Sequence, residues 1–219
     1  MIQCVFRALS IALVCSLLAP ERALAAEEAD LVREVFTSYR TAILAGDGEK
    51  ASGLLSQTTY AYYDEMRTLA LYGAEETVRA QPLVNQLQVL LFRTRIPSEQ
   101  LQAFTPQGLI AHAVDQGWIG RQGVQRVQPG AVETEGEAAV LSVKIDDQDA
   151  GPLFRFNRED GGWRLDLVPT TQASNAALRM AAESQRMTEA DFIGVMMESV
   201  LGRKLAADDW KPPLARPNP

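Results

Sequence analysis

The sequence contains very little cysteine and histidine. Its 219 residues include two cysteines and one histidine. Both cysteines, Cys4 and Cys15, lie in the apolar N-terminal segment that we predict is removed, so the working chain carries no thiol. This excludes thiol catalysis, thiolate metal sites and redox exchange, and His112 is left as the one histidine able to act as a base.

The sequence also contains fewer basic than acidic residues. The chain has 21 lysines and arginines against 28 aspartates and glutamates, a formal net charge of −7 at pH 7. A nucleic acid or an anionic bilayer would repel such a protein over most of its surface. We therefore expect no nucleic-acid partner.

The N-terminal hydrophobic run is too short to span a membrane. Arg7 precedes an apolar run at residues 8–20, and a polar step and small residues follow it up to Ala25. This order is typical of a secretory signal peptide, whereas a transmembrane helix needs about 18 or more apolar residues in a row. We predict a signal peptide at residues 1–25 with cleavage after Ala25, a periplasmic or secreted protein, and no stable membrane anchor after cleavage.

The first half of the remaining chain has the periodicity of amphipathic helices. Apolar residues recur at steps of three and four, and glycine or proline punctuates the pattern. Gly46 predicts a left-handed helix end, Asp47 predicts a helix cap, and Thr105 followed by Pro106 predicts a helix start. The predicted helices lie at residues 27–45, 47–55, 60–72, 82–96 and 106–116.

Beyond Trp118 the period changes to two, which is typical of strands with one buried face. Asp160-Gly161-Gly162 predicts a hairpin turn, and the acidic stretch Asp146 to Gly151 predicts another turn rather than a calcium loop, because glycine and glutamate are missing from the required positions. Strands are predicted within residues 124–133 and at 141–145, 154–157 and 163–167. The fold class is α+β, with N-terminal helices packed on the concave face of a curved antiparallel sheet of about four strands.

The strand alternation predicts which side chains face the helices. Phe154, Phe156 and Trp163 fall on one face together with Leu165 and Leu167. The opposite face carries Arg155, Arg164 and Asp166, which we expect to point toward solvent or a partner. The inner wall of the sheet is therefore predicted to be apolar and aromatic.

The C-terminal third is predicted to return to helix. Residues 171–206 form a helical extension, in which Thr188 and Asp191 resemble a capping box. Residues 207–219 are rich in proline and are expected to be extended or disordered. No internal repeat and no second core is evident in the sequence.

Two short patterns resemble the nuclear-transport-factor-two-like superfamily. One is the helix of residues 32–55, which ends in Ala45-Gly-Asp-Gly-Glu-Lys-Ala51; the other is the strand pair closing on residues 160–167. The resemblance covers residues 28–170 and implies a cone-shaped domain at 26–170 with a pocket, as in ketosteroid isomerases, scytalone dehydratases and polyketide cyclases. The chain departs from that pattern in a helical insert at 60–117. The superfamily hosts enzymes, binding modules and assembly domains, so the resemblance supplies no chemistry.

His112 and Asp115 are the candidate catalytic pair. His112 lies in the predicted helix that starts at Pro106, three residues before Asp115, so one reading is a general base oriented by a carboxylate. The other reading is a histidine at the edge of the core that hydrogen-bonds locally. The sequence leaves both open.

The candidate binding residues are aromatic or basic. Arg93 and Arg95 are candidates for binding an anionic ligand. They also lie near a predicted helix C-terminus, where positive charge complements the helix dipole. Methionines crowd the C-terminal helices and suit either an adaptable surface or simple packing. The remaining candidates are Tyr62, Tyr63, Trp118, Phe154, Phe156 and Trp163.

Together these features predict a secreted envelope protein that is not an enzyme. We expect it to bind another envelope protein or a small apolar ligand, without a metal or a cofactor. The alternative is a small pocket enzyme, an isomerase, dehydratase or hydrolase acting on a hydrophobic substrate, with His112 as base and Asp115 as its orienter.

Overall fold

The computed structural model describes residues 18–118 and 121–215. Residues 1–17 of the predicted signal peptide lie outside these ranges, and its cleavage stays a prediction. Within the described ranges, none of the helices combines the length and the apolar composition needed to cross a bilayer.

Eight helices precede the sheet in the described part of the chain. The first, α1, carries the longest amphipathic stripe and packs along the sheet. The others are shorter and run between glycines and prolines. Their bounds are α1 Leu18–Ala45, α2 Gly48–Ser52, α3 Gln57–Tyr72, α4 Glu75–Arg79, α5 Leu83–Arg95, α6 Ser98–Ala103, α7 Pro106–Asp115 and α8 Arg121–Gln125.

The helix ends follow the local signals in the sequence. Gly46 has a φ of +71° and ends α1 in the left-handed conformation. Asp47 Oδ1 accepts a hydrogen bond of 3.0 Å from the Lys50 N–H and caps α2. Thr105 Oγ1 accepts one of 3.0 Å from the Gly108 N–H and caps α7. These three predictions are confirmed.

The four described strands form an antiparallel meander. They are β1 Val127–Glu135, β2 Ala138–Ile145, β3 Gln148–Glu159 and β4 Gly162–Asp166, paired in the order β1-β2-β3-β4. The β3–β4 turn places Asp160 at φ +50° and Gly161 at φ +77°, and Asp146 and Asp147 turn β2 into β3 with positive φ as well. The α+β class with a sheet of four strands is confirmed.

The polypeptide between α2 and α3 covers the outer edge of β4. The Leu165 N–H donates to Leu54 O at 2.9 Å, and the Ser56 N–H donates to Leu165 O at 3.0 Å. These backbone bonds satisfy groups that an uncovered edge strand would present to other chains.

The aromatic face of the sheet is buried as the alternation predicts. Phe154, Phe156 and Trp163 are all at most 5% exposed. Asp166 is a correction, because it is 6% exposed instead of facing solvent. Its Oδ1 accepts a hydrogen bond of 3.0 Å from the Val168 N–H. The buried carboxylate thus provides an acceptor for the first N–H group of the helix that follows.

Two helices and a short 3₁₀ helix follow the sheet. They are α9 Val168–Ser184, α10 Glu189–Leu201 and the 3₁₀ helix Ala207–Trp210. Trp210 is only 6% exposed, and the guanidinium carbon of Arg79 lies 3.7 Å from its ring centroid. The beginning of the proline-rich segment is therefore packed and not disordered, because burial of the large apolar surface of Trp210 stabilises it. Residues 216–219 lie outside the described ranges.

The buried side chains form two clusters instead of one, which corrects the expectation of a single core. The first, which we call the sheet core, joins α1, α2 and part of α7 to the sheet; its larger members are Phe36, Tyr39, Ile43, Leu55, Ile110, Leu141, Phe154, Phe156, Trp163 and Leu165. The second, which we call the helical cluster, joins the insert to the C-terminal helices; its larger members are Met66, Leu71, Leu83, Leu90, Phe92, Leu101, Leu109, Phe192, Ile193, Met197 and Trp210.

Candidate functional site

A cavity of about 360 Å³ lies between the sheet and helices α1, α3, α8 and α9. We call it the sheet-side cavity. Its volume falls within the range of roughly 300–1,000 Å³ that is usual for small-molecule sites. It is lined by Tyr39, Tyr63, Gly123, Val124, Val127, Ile145, Leu153, Phe154, Leu167, Thr170, Thr171 and Ser174.

Tyr39 contributes a hydroxyl that has no hydrogen-bond partner among the described residues. It occupies the buried stripe of α1 and is 3% exposed. Every fully enclosed side-chain polar atom among the described residues has a hydrogen-bond partner. The Tyr39 hydroxyl makes no such bond with the described residues, and Tyr39 lines the sheet-side cavity. A buried hydroxyl left without a partner is costly, which makes it a candidate donor for a ligand.

Burial controls the protonation of both tyrosines in the cavity wall. It raises the pKa of Tyr39 well above the ordinary value, and the neighbouring Tyr63 adds to that shift. Burial also raises the pKa of Tyr63 to about 12, against the opposing effect of the Gln88 amide. Both hydroxyls therefore stay protonated at neutral pH and act as hydrogen-bond donors.

The other hydroxyls in the wall are already engaged. Thr171 Oγ1 donates to Leu167 O at 3.0 Å, and Ser174 Oγ donates to Thr170 O at 2.9 Å, as is common for such residues inside helices. None of the described residues in the wall is histidine, aspartate, glutamate, lysine or arginine. The cavity therefore suits a neutral, largely apolar molecule with one hydrogen-bond acceptor.

A second pocket, of about 210 Å³, opens between α5, α7 and α10. We call it the helical groove. Among its described members only Gln88, Tyr63 and Trp118 carry polar side-chain groups, and two members are methionines. It is lined by Tyr63, Leu87, Gln88, Leu91, Phe92, Ala113, Trp118, Met196, Met197 and Val200.

Tyr62 lines a third, more polar recess of about 270 Å³ between α3, α5 and α9. Its hydroxyl lies 2.9 Å from Asn85 Oδ1 and 2.8 Å from Gln88 Oε1. Its ring packs edge-on against that of Tyr63, with centroids 5.5 Å apart. Tyr62 therefore orients Tyr63 from the side of the helical cluster.

The structure does not bring His112 and Asp115 together as a base and its orienter. Asp115 Oδ1 accepts a hydrogen bond of 2.8 Å from the Gly48 N–H, at the start of α2. The His112 ring packs between Phe104 and Trp118, with centroid distances of 5.1 and 5.3 Å. Neither residue lines the sheet-side cavity. Asp115 joins the start of α2 to the end of α7 through this hydrogen bond.

Arg93 and Arg95 bind backbone carbonyls. Arg93 Nε donates to Ala70 O at 2.9 Å and its Nη2 donates to Leu69 O at 3.0 Å, which satisfies the C-terminus of α3. Arg93 also donates to Trp210 O, and Arg95 donates to Val200 O. These contacts support the structural reading of both arginines over the anion-binding one.

The remaining candidates are divided between the walls and the core. Phe154 lines the sheet-side cavity and Trp118 lines the helical groove. Phe156 is fully buried in the sheet core. Trp163 is buried too, and its Nε1 donates to Glu28 Oε2 at 2.7 Å, which ties β4 to the N-terminal half of α1.

No three or more histidine, aspartate and glutamate side chains among the described residues are arranged to hold a metal ion. Asp146 forms an ion pair with Arg126, and Asp149 Oδ1 accepts a hydrogen bond of 2.9 Å from the Gly151 N–H. Asp146 and Asp147 form a hairpin turn as the sequence predicts, whereas residues 148–151 belong to β3 and not to the turn.

Sequence reasoning missed Tyr39 as a site residue. It appears in the sequence only as one position of the apolar stripe of α1. The available signal was its hydroxyl, because a tyrosine on a buried stripe needs a partner for that group. Compared with protein-family models, curated proteins and solved structures, the chain gives no match.

Proposed function

We propose that this is a non-catalytic binding protein of the cell envelope that holds a small apolar ligand in the sheet-side cavity. The observation that carries the proposal is the Tyr39 hydroxyl, which is buried, protonated and without a hydrogen-bond partner among the described residues, in the wall of that cavity. The apolar surroundings would bind the body of the ligand, and the hydroxyl would fix its orientation.

The composition of the wall favours binding over catalysis. General acid–base chemistry uses groups whose pKa lies near the working pH, whereas burial holds the pKa of both cavity tyrosines far above it. The pocket enzyme with His112 and Asp115 has less support, since Asp115 is engaged with Gly48 and both residues lie outside the cavity wall. Export by the predicted signal peptide would place the protein in the periplasm or outside the cell.

The proposal is tested with the purified protein and a neutral fluorophore, N-phenylnaphthylamine, displaced by methyl hexyl ketone. Tyr39→Phe should weaken ketone binding about fivefold, the effect of one neutral hydrogen bond of about 1 kcal/mol. The free energy of unfolding of the ligand-free variant should not fall, because none of the described residues hydrogen-bonds to the hydroxyl.

The matched control is Tyr72→Phe. Tyr72 is the last residue of α3, accepts a hydrogen bond of 3.2 Å from Gln102, and lines none of the three described pockets. Its substitution should leave ketone binding unchanged. If neither fluorophore nor ketone binds, or if Tyr39→Phe binds the ketone as tightly as the parent protein, the proposal is wrong.

A further inference from the structure

The sheet-side cavity and the helical groove meet at one side chain. Tyr63 lines both, and it is the one described residue that the two walls share. Its ring also packs against both the sheet core and the helical cluster. A single tyrosine therefore stands between the two spaces.

The groove is too small to act as an independent ligand site. Its volume of about 210 Å³ lies below the usual range for small-molecule sites, which begins at roughly 300 Å³. The sheet-side cavity reaches that range by itself. The groove is better explained as an extension of the cavity than as a second site.

The groove wall is suited to a flexible apolar chain. Gln88 is its one amide, and the other described members apart from Tyr63 and Trp118 are aliphatic, thioether or phenyl side chains. Met196 and Met197 lie next to each other on α10, and unbranched thioethers adjust to ligands of different shape. Met196 and Val200 are partly exposed, so the groove opens toward solvent along α10.

We propose that the helical groove holds the far end of the same ligand, so that the ligand is an elongated, neutral aliphatic molecule with a carbonyl or ether oxygen at one end. The oxygen accepts from Tyr39, and the chain passes Tyr63 into the groove. This inference rests on the proposed function, because the polar end must first bind in the sheet-side cavity.

The experiment compares a short and a long member of one series, methyl hexyl ketone and methyl decyl ketone. Each additional methylene that leaves water should tighten binding about fourfold, since its burial contributes about 0.8 kcal/mol. Trp118 lines the groove, so its fluorescence should respond to the long ketone and not to the short one. Trp118→Phe should abolish that response while both ketones still bind.

Val200→Trp blocks the groove, and Val195→Trp is the matched control. Both valines lie on α10 and are exposed, 43% and 52% respectively, so neither substitution disturbs the core. Val200 lines the groove and Val195 does not. Val200→Trp should weaken binding of the long ketone at least tenfold and leave the short ketone unchanged. Val195→Trp should change neither.

The outcomes separate the two proposals. If the short ketone binds and depends on Tyr39, but the long ketone binds no more tightly or is indifferent to Val200→Trp, the proposed function stands and the extension into the groove is wrong. If neither ketone binds, both are wrong.

Discussion

The sheet core and the helical cluster are closed in different ways. Backbone hydrogen bonds close the sheet core: the β ladders, and the segment Leu54–Ser56 paired along β4. In the helical cluster, arginine side chains form many of the contacts that hold the elements together. Arg93 bonds to carbonyls at the end of α3 and to Trp210, and Arg79 packs over the Trp210 ring. Most backbone hydrogen bonds of a helix lie within that helix. Hydrogen bonds between helices therefore depend on side chains that reach the free carbonyl groups at the helix ends.

The two regions share helix α7 and therefore do not form separate domains. Ile110 and Val114 of α7 are buried in the sheet core, whereas Leu109 of the same helix is buried in the helical cluster. Asp115, at the end of α7, accepts from the Gly48 N–H and fixes α2 to it. The candidate ligand cavities also meet at this boundary, at Tyr63. A substitution that displaces α7 should therefore destabilise both the sheet core and the helical cluster.

The largest effect is expected for Gly48→Ala. A Cβ atom at this position would lie 2.1 Å from Ala111 O and 2.5 Å from Asp115 Oδ1, so α2 would have to move away from α7. Overpacking together with the lost hydrogen bond should lower the free energy of unfolding by about 4 kcal/mol. Chemical denaturation measures the change.

Gly53→Ala is the control for that substitution. It lies at the other end of α2 with a φ of −64°, and the nearest atom to an added Cβ would be 3.4 Å away, an ordinary contact. Its stability should stay within about 1 kcal/mol of the parent. Similar stabilities for the two alanine variants would contradict the tight α2–α7 contact.

A smaller effect, confined to one region, is expected for Trp210→Ala. Removal of the ring eliminates the contact with Arg79 and leaves a gap at the edge of the helical cluster. The free energy of unfolding should fall by about 2–3 kcal/mol, less than for a central core residue, because the terminal segment can detach. Hydrogen exchange should quicken in α4 and α5 and stay slow in the strands.

Asp208→Ala provides the comparison within the same 3₁₀ helix. The Asp208 side chain is exposed and pairs with Lys211 at 2.7 Å. Exposed pairs of this kind contribute less than about 1 kcal/mol, so exchange in the helical cluster should be unchanged. Equal acceleration of exchange in the strands and helices of Trp210→Ala would show that the tail supports the whole molecule.

Local rules were enough to predict the longer helices, the hairpin turns and the fold class, whereas the short helices α4, α6 and α8 were not predicted. Gly46, Asp47 and Thr105 mark helix boundaries through their own backbone preference or a short-range hydrogen bond, and Asp160-Gly161 sets its hairpin turn in the same way. Such signals act over a few residues and can be read directly from the sequence. The alternation in β3 and β4 predicts the buried aromatic face for the same reason.

The cavities and the second core could not be predicted in this way. Tyr39 and Leu153 line one cavity although they are far apart in the chain, and Trp210 packs on Arg79 across an even longer separation. Neither contact produces a periodic pattern in the sequence. Asp166 was misplaced because strand alternation assigns a face and takes no account of the helix that begins two residues later, whose first N–H group needs an acceptor.

No effect near neutral pH is expected for the tyrosines at the boundary between the two regions, whose contribution to stability changes only at alkaline pH. Burial raises the pKa of Tyr39 and Tyr62 above the usual value of 10.0, and that of Tyr63 to about 12. Above about pH 10 the unfolded chain releases these protons while the folded protein retains them. The folded state then binds more protons, so the free energy of unfolding falls as the pH rises from about 10 toward 12.

The slope should reach about 1.4 kcal/mol per pH unit for each of Tyr39 and Tyr63, and less for Tyr62, which is only partly buried. Chemical denaturation at a series of alkaline pH values measures it, and tyrosinate absorbance reports ionisation in the folded protein. Tyr63→Phe should remove the contribution of one tyrosine to the slope and leave the pH dependence near neutrality unchanged. A slope that is the same with and without Tyr63 would mean that this ring ionises as easily in the folded protein as in the unfolded chain, and that the passage between cavity and groove is open to water.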